Sequence, residues 1–115
     1  MIDAAAIGEI LSLYKKHGWT LRHVLLSEKL QKKLAATGGD IFGNVEITAS
    51  SLDAVWFSRK SRPEFEAWEI RHLSLTPFAL VEVLENGFSA SQAQQILRNA
   101  ELKMIEITNS RTRSS

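Results

Sequence analysis

The sequence contains no cysteine and only two prolines. Without cysteine the chain has no disulfides, no thiolate nucleophile, no zinc–cysteine site and no iron–sulfur cluster. No apolar run is long enough to span a bilayer, and residues 1–13 carry Asp3 and Glu9 but no basic side chain, unlike a secretory signal. We therefore expect a cytoplasmic protein of bacterial type that has no contact with a membrane.

The sequence also has no large excess of positive or negative side chains, because its net charge is only +1. No overall field attracts nucleic acid, so a nucleic-acid partner is not expected. The charges are nevertheless uneven, since residues 38–87 hold four basic and eight acidic side chains while both flanking segments are basic. Such an arrangement permits electrostatic docking to a partner or to a second copy of the chain.

The chain reads as alternating helices and strands. Asp3 is a suitable N-cap for a helix over 3–17 that Gly18 ends, and Ser27 caps a second helix that Gly38 and Gly39 end. β-branched and aromatic residues predict strands at 19–26, 45–48, 52–58, 65–73 and 78–84. Ser89 and Gln92 form a capping box that opens the last helix.

This order predicts a single small α+β domain over 1–107 and a polar, disordered tail over 108–115. Short links between consecutive strands favour a mainly antiparallel sheet of four to five strands. Two N-terminal helices and one C-terminal helix pack on this sheet, and we expect them on one face. Residues 59–64 are interpreted as the loop of a central hairpin.

No catalytic or metal motif is present. His17, His23 and His72 stand in no zinc-binding spacing, and we interpret them as structural. The glycines of residues 38–44 lead from a helix toward a strand, the reverse of a phosphate-binding loop, so no nucleotide cofactor is expected. We accordingly predict no catalytic residue, no metal and no cofactor.

The central hairpin carries the most suggestive residues. Asp53 begins one strand, and Glu69-Ile70-Arg71 lies on the next. This arrangement resembles the core of the PD-(D/E)xK nucleases over about a quarter of the chain, and the resemblance implies two metal-binding acids, with Arg71 in the place of the lysine that helps activate water. Arginine stays charged and cannot act as a base, which departs from that pattern.

Strand register decides between two arrangements of this hairpin. If Arg59 pairs with Phe65, then Asp53 faces Arg71 and Trp56 faces Trp68, as the nuclease hypothesis requires. The same register also gives an ordinary cross-strand ion pair and an ordinary aromatic pair. If the register slips by one residue, Asp53 faces Ile70 and Glu69 points to the other side of the sheet.

The hairpin also supplies the candidate binding residues, which are aromatic or charged and lie near one sheet face or at the hairpin tip. On the strands they are Trp56, Trp68, Glu69, Arg71 and His72, and at the tip they are Arg59, Lys60 and Arg62. Aromatic residues beside arginine are enriched at interfaces, although small cores also use them.

The last strand is apolar on both sides, with Phe78, Leu80 and Leu84 pointing one way and Ala79, Val81 and Val83 the other. If the helices cover one face, a second chain could cover the other, which favours a homodimer. The leading hypothesis is a non-catalytic binding or accessory module that acts through protein–protein contacts. The alternatives are a metal-dependent nuclease-like enzyme using Asp53, Glu69 and Arg71, and a small-molecule-binding protein with a groove near Trp56, Glu69 and His72.

Overall fold

A computed structural model describes residues 2–37 and 40–114, with side chains to Ser110. The elements follow in the order α1 (Ala4–Lys16), β1 (Thr20–Leu26), α2 (Glu28–Ala36), β2 (Ile47–Ala49), β3 (Ala54–Arg62), β4 (Phe65–His72), β5 (Ala79–Glu85) and α3 (Ala90–Ser114). This order confirms the α+β class and the sequence of helices and strands that the pattern predicted.

The helix starts follow the capping signals in the sequence. The Asp3 carboxylate accepts a hydrogen bond from the Ala6 amide at 2.8 Å, and the Ser27 hydroxyl accepts one from the Leu30 amide at 3.3 Å. Gly18 has φ +84°, the left-handed conformation that favours glycine after a helix. The predicted role of Gly38 and Gly39 lies outside the described residues.

The five strands form one mixed sheet in the order β2-β1-β3-β4-β5. The pairs β1–β3, β3–β4 and β4–β5 are antiparallel, and only β2 runs parallel to β1. The helix α2 makes the crossover that a parallel pair needs. The prediction of a mainly antiparallel sheet is therefore confirmed.

The helices lie on both faces of the sheet rather than on one. α1 and α2 bury Ile7, Leu30 and Leu34 in one apolar cluster, whereas α3 buries Ala100 and Met104 in another. The strands supply alternate residues to the two clusters, as a pleated sheet must. Our expectation of helices on a single face is wrong because a third helix can return over the far side of the sheet.

The register of the central hairpin is neither of the two that we considered. Trp56 pairs with Ile70, and Arg59 pairs with Ala67. The strands continue to a pair between Arg62 and Phe65, with a β-bulge between Lys60 and Arg62, so the connection is only two residues long. Polar side chains do not prevent backbone pairing, which is why the segment interpreted as a loop is mostly strand.

The edge strand β5 has one covered and one open face. Leu84 is buried and Leu80 half-buried on the side of α3. Val81 and Val83 are 54% and 51% exposed on the side of α1 and α2, which leave that part of the sheet uncovered. α3 thus accounts for only one of the two apolar faces of this strand.

α3 continues to Ser114, through the segment for which we expected a disordered tail; Ser115 lies outside the described residues. Within the residues that the structure describes, no helix combines the length and the apolarity that crossing a membrane requires.

Candidate functional site

A groove of about 600 Å³ lies between α3 and the sheet, and we call it the α3 groove. Its lining combines aromatic, charged and amide side chains from β1, β3, β4 and the first three turns of α3. These residues are His23, Trp56, Trp68, Ser91, Gln94, Gln95, Leu97, Arg98 and Glu101.

A β-bulge in β1 forms one wall of the α3 groove. Leu21 pairs with Phe57 while His23 pairs with Trp56, so Arg22 is an extra residue in the ladder. Its guanidinium lies 5.3 Å from the centroid of a Trp68 ring, on the side of α3. A β-bulge changes the direction of side chains in this way. Here the consecutive side chains of Arg22 and His23 both lie on the face of the sheet that α3 covers.

The floor of the groove is held by a carboxylate from α3. The Trp56 indole N–H donates to Oε2 of Glu101 at 2.8 Å, and Arg98 lies 3.5 Å from Oε1. The Glu101 side chain is only 17% exposed, whereas that of Arg98 is 64% exposed. Both oxygens of Glu101 are thus engaged, which fixes the floor while leaving the arginine accessible to a ligand.

Trp68 forms the rim of the groove beside Trp56. The two ring centroids are 6.2 Å apart with planes at 71°, an edge-to-face contact, and the Trp68 N–H donates to Glu66 at 2.7 Å. Trp56 is 2% exposed and Trp68 is half-buried. The structure therefore brings these two candidate residues together, although they are diagonal neighbours rather than a direct pair.

Glu69 and Arg71 lie on the opposite face of the sheet, beneath α1. The Tyr14 hydroxyl donates to Glu69, and its ring stacks on Phe57 with centroids 4.0 Å apart. Arg71 is buried and donates to the carbonyl oxygens of His72 and Ser74. These two candidates anchor α1 and a loop, and they do not line the α3 groove.

The Tyr14 hydroxyl gives a test of this anchoring. Burial raises the pKa of Tyr14 well above its ordinary value of 10.0; the hydrogen bond and the charge of Glu69 raise it further, and Arg71 opposes them. Because the chain has a single tyrosine, phenolate absorbance reports Tyr14 alone. We expect no ionisation near pH 10 in the folded protein, and the stability that this group contributes, complete below pH 10, declines as the pH rises above it.

The matched control is Tyr14→Phe, which removes the absorbance signal altogether and sets the baseline for the tryptophans. A normal titration of Tyr14 near pH 10 in protein that is still folded would show that the hydroxyl is neither buried nor bound to Glu69.

The remaining candidates are dispersed. Nδ1 of His72 lies 2.9 Å from the Ser74 hydroxyl. Arg59 donates to the His17 carbonyl oxygen at 2.9 Å and lies over Trp19.

At the hairpin tip, Arg62 lies over Phe65, and Lys60 is exposed. Because Arg59 is held against the end of α1, the tip does not present the three cations as one patch.

The acids of the nuclease hypothesis are also apart. Asp53 accepts hydrogen bonds from the Ser27 amide at 2.6 Å and from its hydroxyl at 3.1 Å. Glu69 pairs with Phe57, four residues from Asp53, or about 13 Å along the strand. Asp53 thus supports the start of α2, and the geometry gives the nuclease alternative no support.

Sequence reasoning missed Arg22 and the polar side of α3, and it assigned His23 a purely structural role. One signal was present, because two consecutive polar residues interrupt the alternation of β1 at Arg22-His23. The contribution of Gln94, Arg98 and Glu101 had no comparable signal, since it depends on which face of the sheet α3 covers.

Among the residues that the structure describes, no three histidine, aspartate or glutamate side chains are placed to hold a metal ion. The comparisons with known proteins add no constraint. No family model, no curated protein and no solved structure matches this chain, so its function has to be argued from the α3 groove and the surfaces around it.

Proposed function

We propose that this protein is a non-catalytic binding module that takes a small molecule in the α3 groove. The observation that carries the proposal is the groove itself, whose volume of about 600 Å³ falls within the range usual for small-molecule sites. Two indole rings and Leu97 line it together with six polar or charged side chains, and polar groups that converge on a site fix the orientation of a ligand.

The state of Glu101 favours binding over catalysis. A general base needs an oxygen that can take a proton from a substrate. Here one oxygen accepts from Trp56 and the other faces Arg98. A carboxylate bound in this way orients its neighbours, and the groove is preorganised without a ligand, which lowers the entropy lost on binding.

The proposal is tested with a substitution whose larger side chain fills the groove. Leu97 lines it, and Leu102 lies on the same helix, 47% exposed and outside the lining. Native mass spectrometry of the wild type with a mixture of small aromatic molecules is expected to show one bound ligand. Leu97→Trp should lose this ligand because the larger ring occupies the groove, and the matched control Leu102→Trp should keep it. Equal binding to both variants would contradict the proposal.

A second function, contact with another copy of this chain, is favoured by the open face of β5. Val81 and Val83 are both more than half exposed, side by side on a strand. Glu82 and Glu85 on the same strand disfavour edge-to-edge pairing, so we propose a face-to-face homodimer through the valines.

Sedimentation velocity tests this homodimer. We expect a dimer that Val83→Lys converts to monomer, because the charge would be buried without a partner in the interface. Ile47→Lys is the matched control, since Ile47 is 40% exposed on the opposite edge strand, and it should remain dimeric. A wild type that is monomeric at every concentration would rule out this surface as a dimer interface.

A further inference from the structure

We infer that the α3 groove selects a planar aromatic ring bearing a carboxylate or a phosphate. This inference rests on the proposed function and adds the chemical class of the ligand. It is carried by two observations at the groove, which are the exposed Arg98 side chain in its lining and the position of Arg22 over the Trp68 ring.

The acids at the groove are already engaged. Glu101 on α3 is bound to Trp56 and Arg98, and Glu66 on β4 accepts from the Trp68 indole at 2.7 Å. Arg98 offsets the charge of Glu101, so this carboxylate repels an anion less than a free carboxylate does.

One basic group beside the groove, Arg22, is less engaged than the acids. Within the described residues, no carboxylate lies within 4.0 Å of the Arg22 guanidinium, which lies over the Trp68 ring. Arg98 is paired with Glu101 but remains 64% exposed, and His23 lines the groove with Nε2 2.8 Å from the Thr48 hydroxyl. An anionic group entering the groove therefore meets Arg98 in its lining and comes near Arg22, which lies beside the groove over the Trp68 ring. Guanidinium groups bind carboxylate and phosphate by paired hydrogen bonds.

The aromatic part of the ligand follows from the Trp68 ring. A flat guanidinium lies over this ring, 5.3 Å from its centroid, so the indole already packs against one planar group. An aromatic ring that displaces the Arg22 guanidinium from Trp68 would gain stacking energy, and the displaced Arg22 would be near enough to pair with the acid group on that ring. The amides of Gln94 and Gln95 can hydrogen-bond ring substituents from the opposite wall.

Isothermal titration calorimetry with two matched pairs of probes tests the inference. Indole-3-carboxylate is compared with indole-3-carboxamide, and adenosine monophosphate with adenosine, so that each pair differs chiefly in charge. At low salt we expect the anion of at least one pair to bind about tenfold more tightly than its neutral partner, since charge-assisted hydrogen bonds are the stronger ones. The pair that shows this preference identifies the acid group as carboxylate or phosphate.

Substitutions show which arginines cause the preference for the anionic probe. Arg22→Gln and Arg98→Gln should each reduce the preference for the anion severalfold without changing the affinity for the neutral probe. Arg62→Gln is a matched control, because Arg62 lies 5.3 Å over the Phe65 ring, the same distance as Arg22 over Trp68, but Trp68 lines the groove and Phe65 does not. It should bind both probes as the wild type does.

Two outcomes would overturn the inference, and they can be told apart. If the neutral probes bind as tightly as the anions and Leu97→Trp abolishes both, the groove binds ligands and only the ligand class is wrong. If no probe binds folded protein, the proposed function fails together with the inference.

Discussion

Replacing Trp56 with alanine is expected to lower the free energy of unfolding by about 3–5 kcal/mol, the usual cost of removing a buried aromatic side chain. Trp56 is 2% exposed and packs in one cluster with Ile70 and Met104, which are fully buried. The substitution would leave a cavity between α3 and the sheet and would remove the donor that holds Glu101.

The same substitution at Trp68 should cost only about 1–2 kcal/mol, because Trp68 is half-buried at the rim. Urea unfolding monitored by circular dichroism gives both values. Equal losses of unfolding free energy at Trp56 and Trp68 would show that Trp56 is not the buried floor and Trp68 not the half-buried rim. The groove as described would then be incorrect.

The second large effect is expected at Met104. This residue of α3 has no exposed surface and contributes to the cluster on the second face of the sheet. Met104→Ala should lower the free energy of unfolding by about 2–5 kcal/mol, since the side chain is removed from a site where α3 is held against the strands and cannot easily collapse.

Leu102 provides the comparison on the same helix. It is 47% exposed, so Leu102→Ala should change the free energy of unfolding by no more than about 0.5 kcal/mol. If the two variants were equally stable, α3 would not be packed through Met104, and the α3 groove would lose one of its walls.

Local signals predicted the elements well. Asp3 and Ser27 cap their helices as expected because a cap depends on residues three positions away. Gly18 takes its left-handed conformation for a similarly local reason. The α+β class and the element order follow from such signals together with the apolar periodicity.

The register of the β3–β4 hairpin was harder to predict from the sequence, because it depends on where the hairpin turns. The polar residues from Arg59 to Arg62 favoured a loop, yet their backbone pairs with β4 through a bulge. The resulting register differs by two residues from the first of our alternatives. Such a shift preserves which face each side chain occupies, so Trp56 and Trp68 still meet.

The candidate site was predicted only in part. Trp56 and Trp68 line the groove, but Glu69 and Arg71 lie on the other face, where they bind Tyr14 and loop carbonyls. The remaining walls come from α3 and from a bulge in β1. Sequence alone cannot place these, because they depend on long-range packing and not on local pattern.

The most direct test of the account uses the indole N–H signals of the three tryptophans in a nitrogen–proton correlation spectrum, recorded while small aromatic molecules, neutral and anionic, are added. Trp56 and Trp68 line the α3 groove, whereas Trp19 packs on the opposite face with Tyr14. We predict that ligands shift the Trp56 and Trp68 signals together and leave Trp19 unchanged. Ligands that shift only Trp19, or a set of molecules none of which moves either groove signal, would contradict the claim that the α3 groove is a binding site.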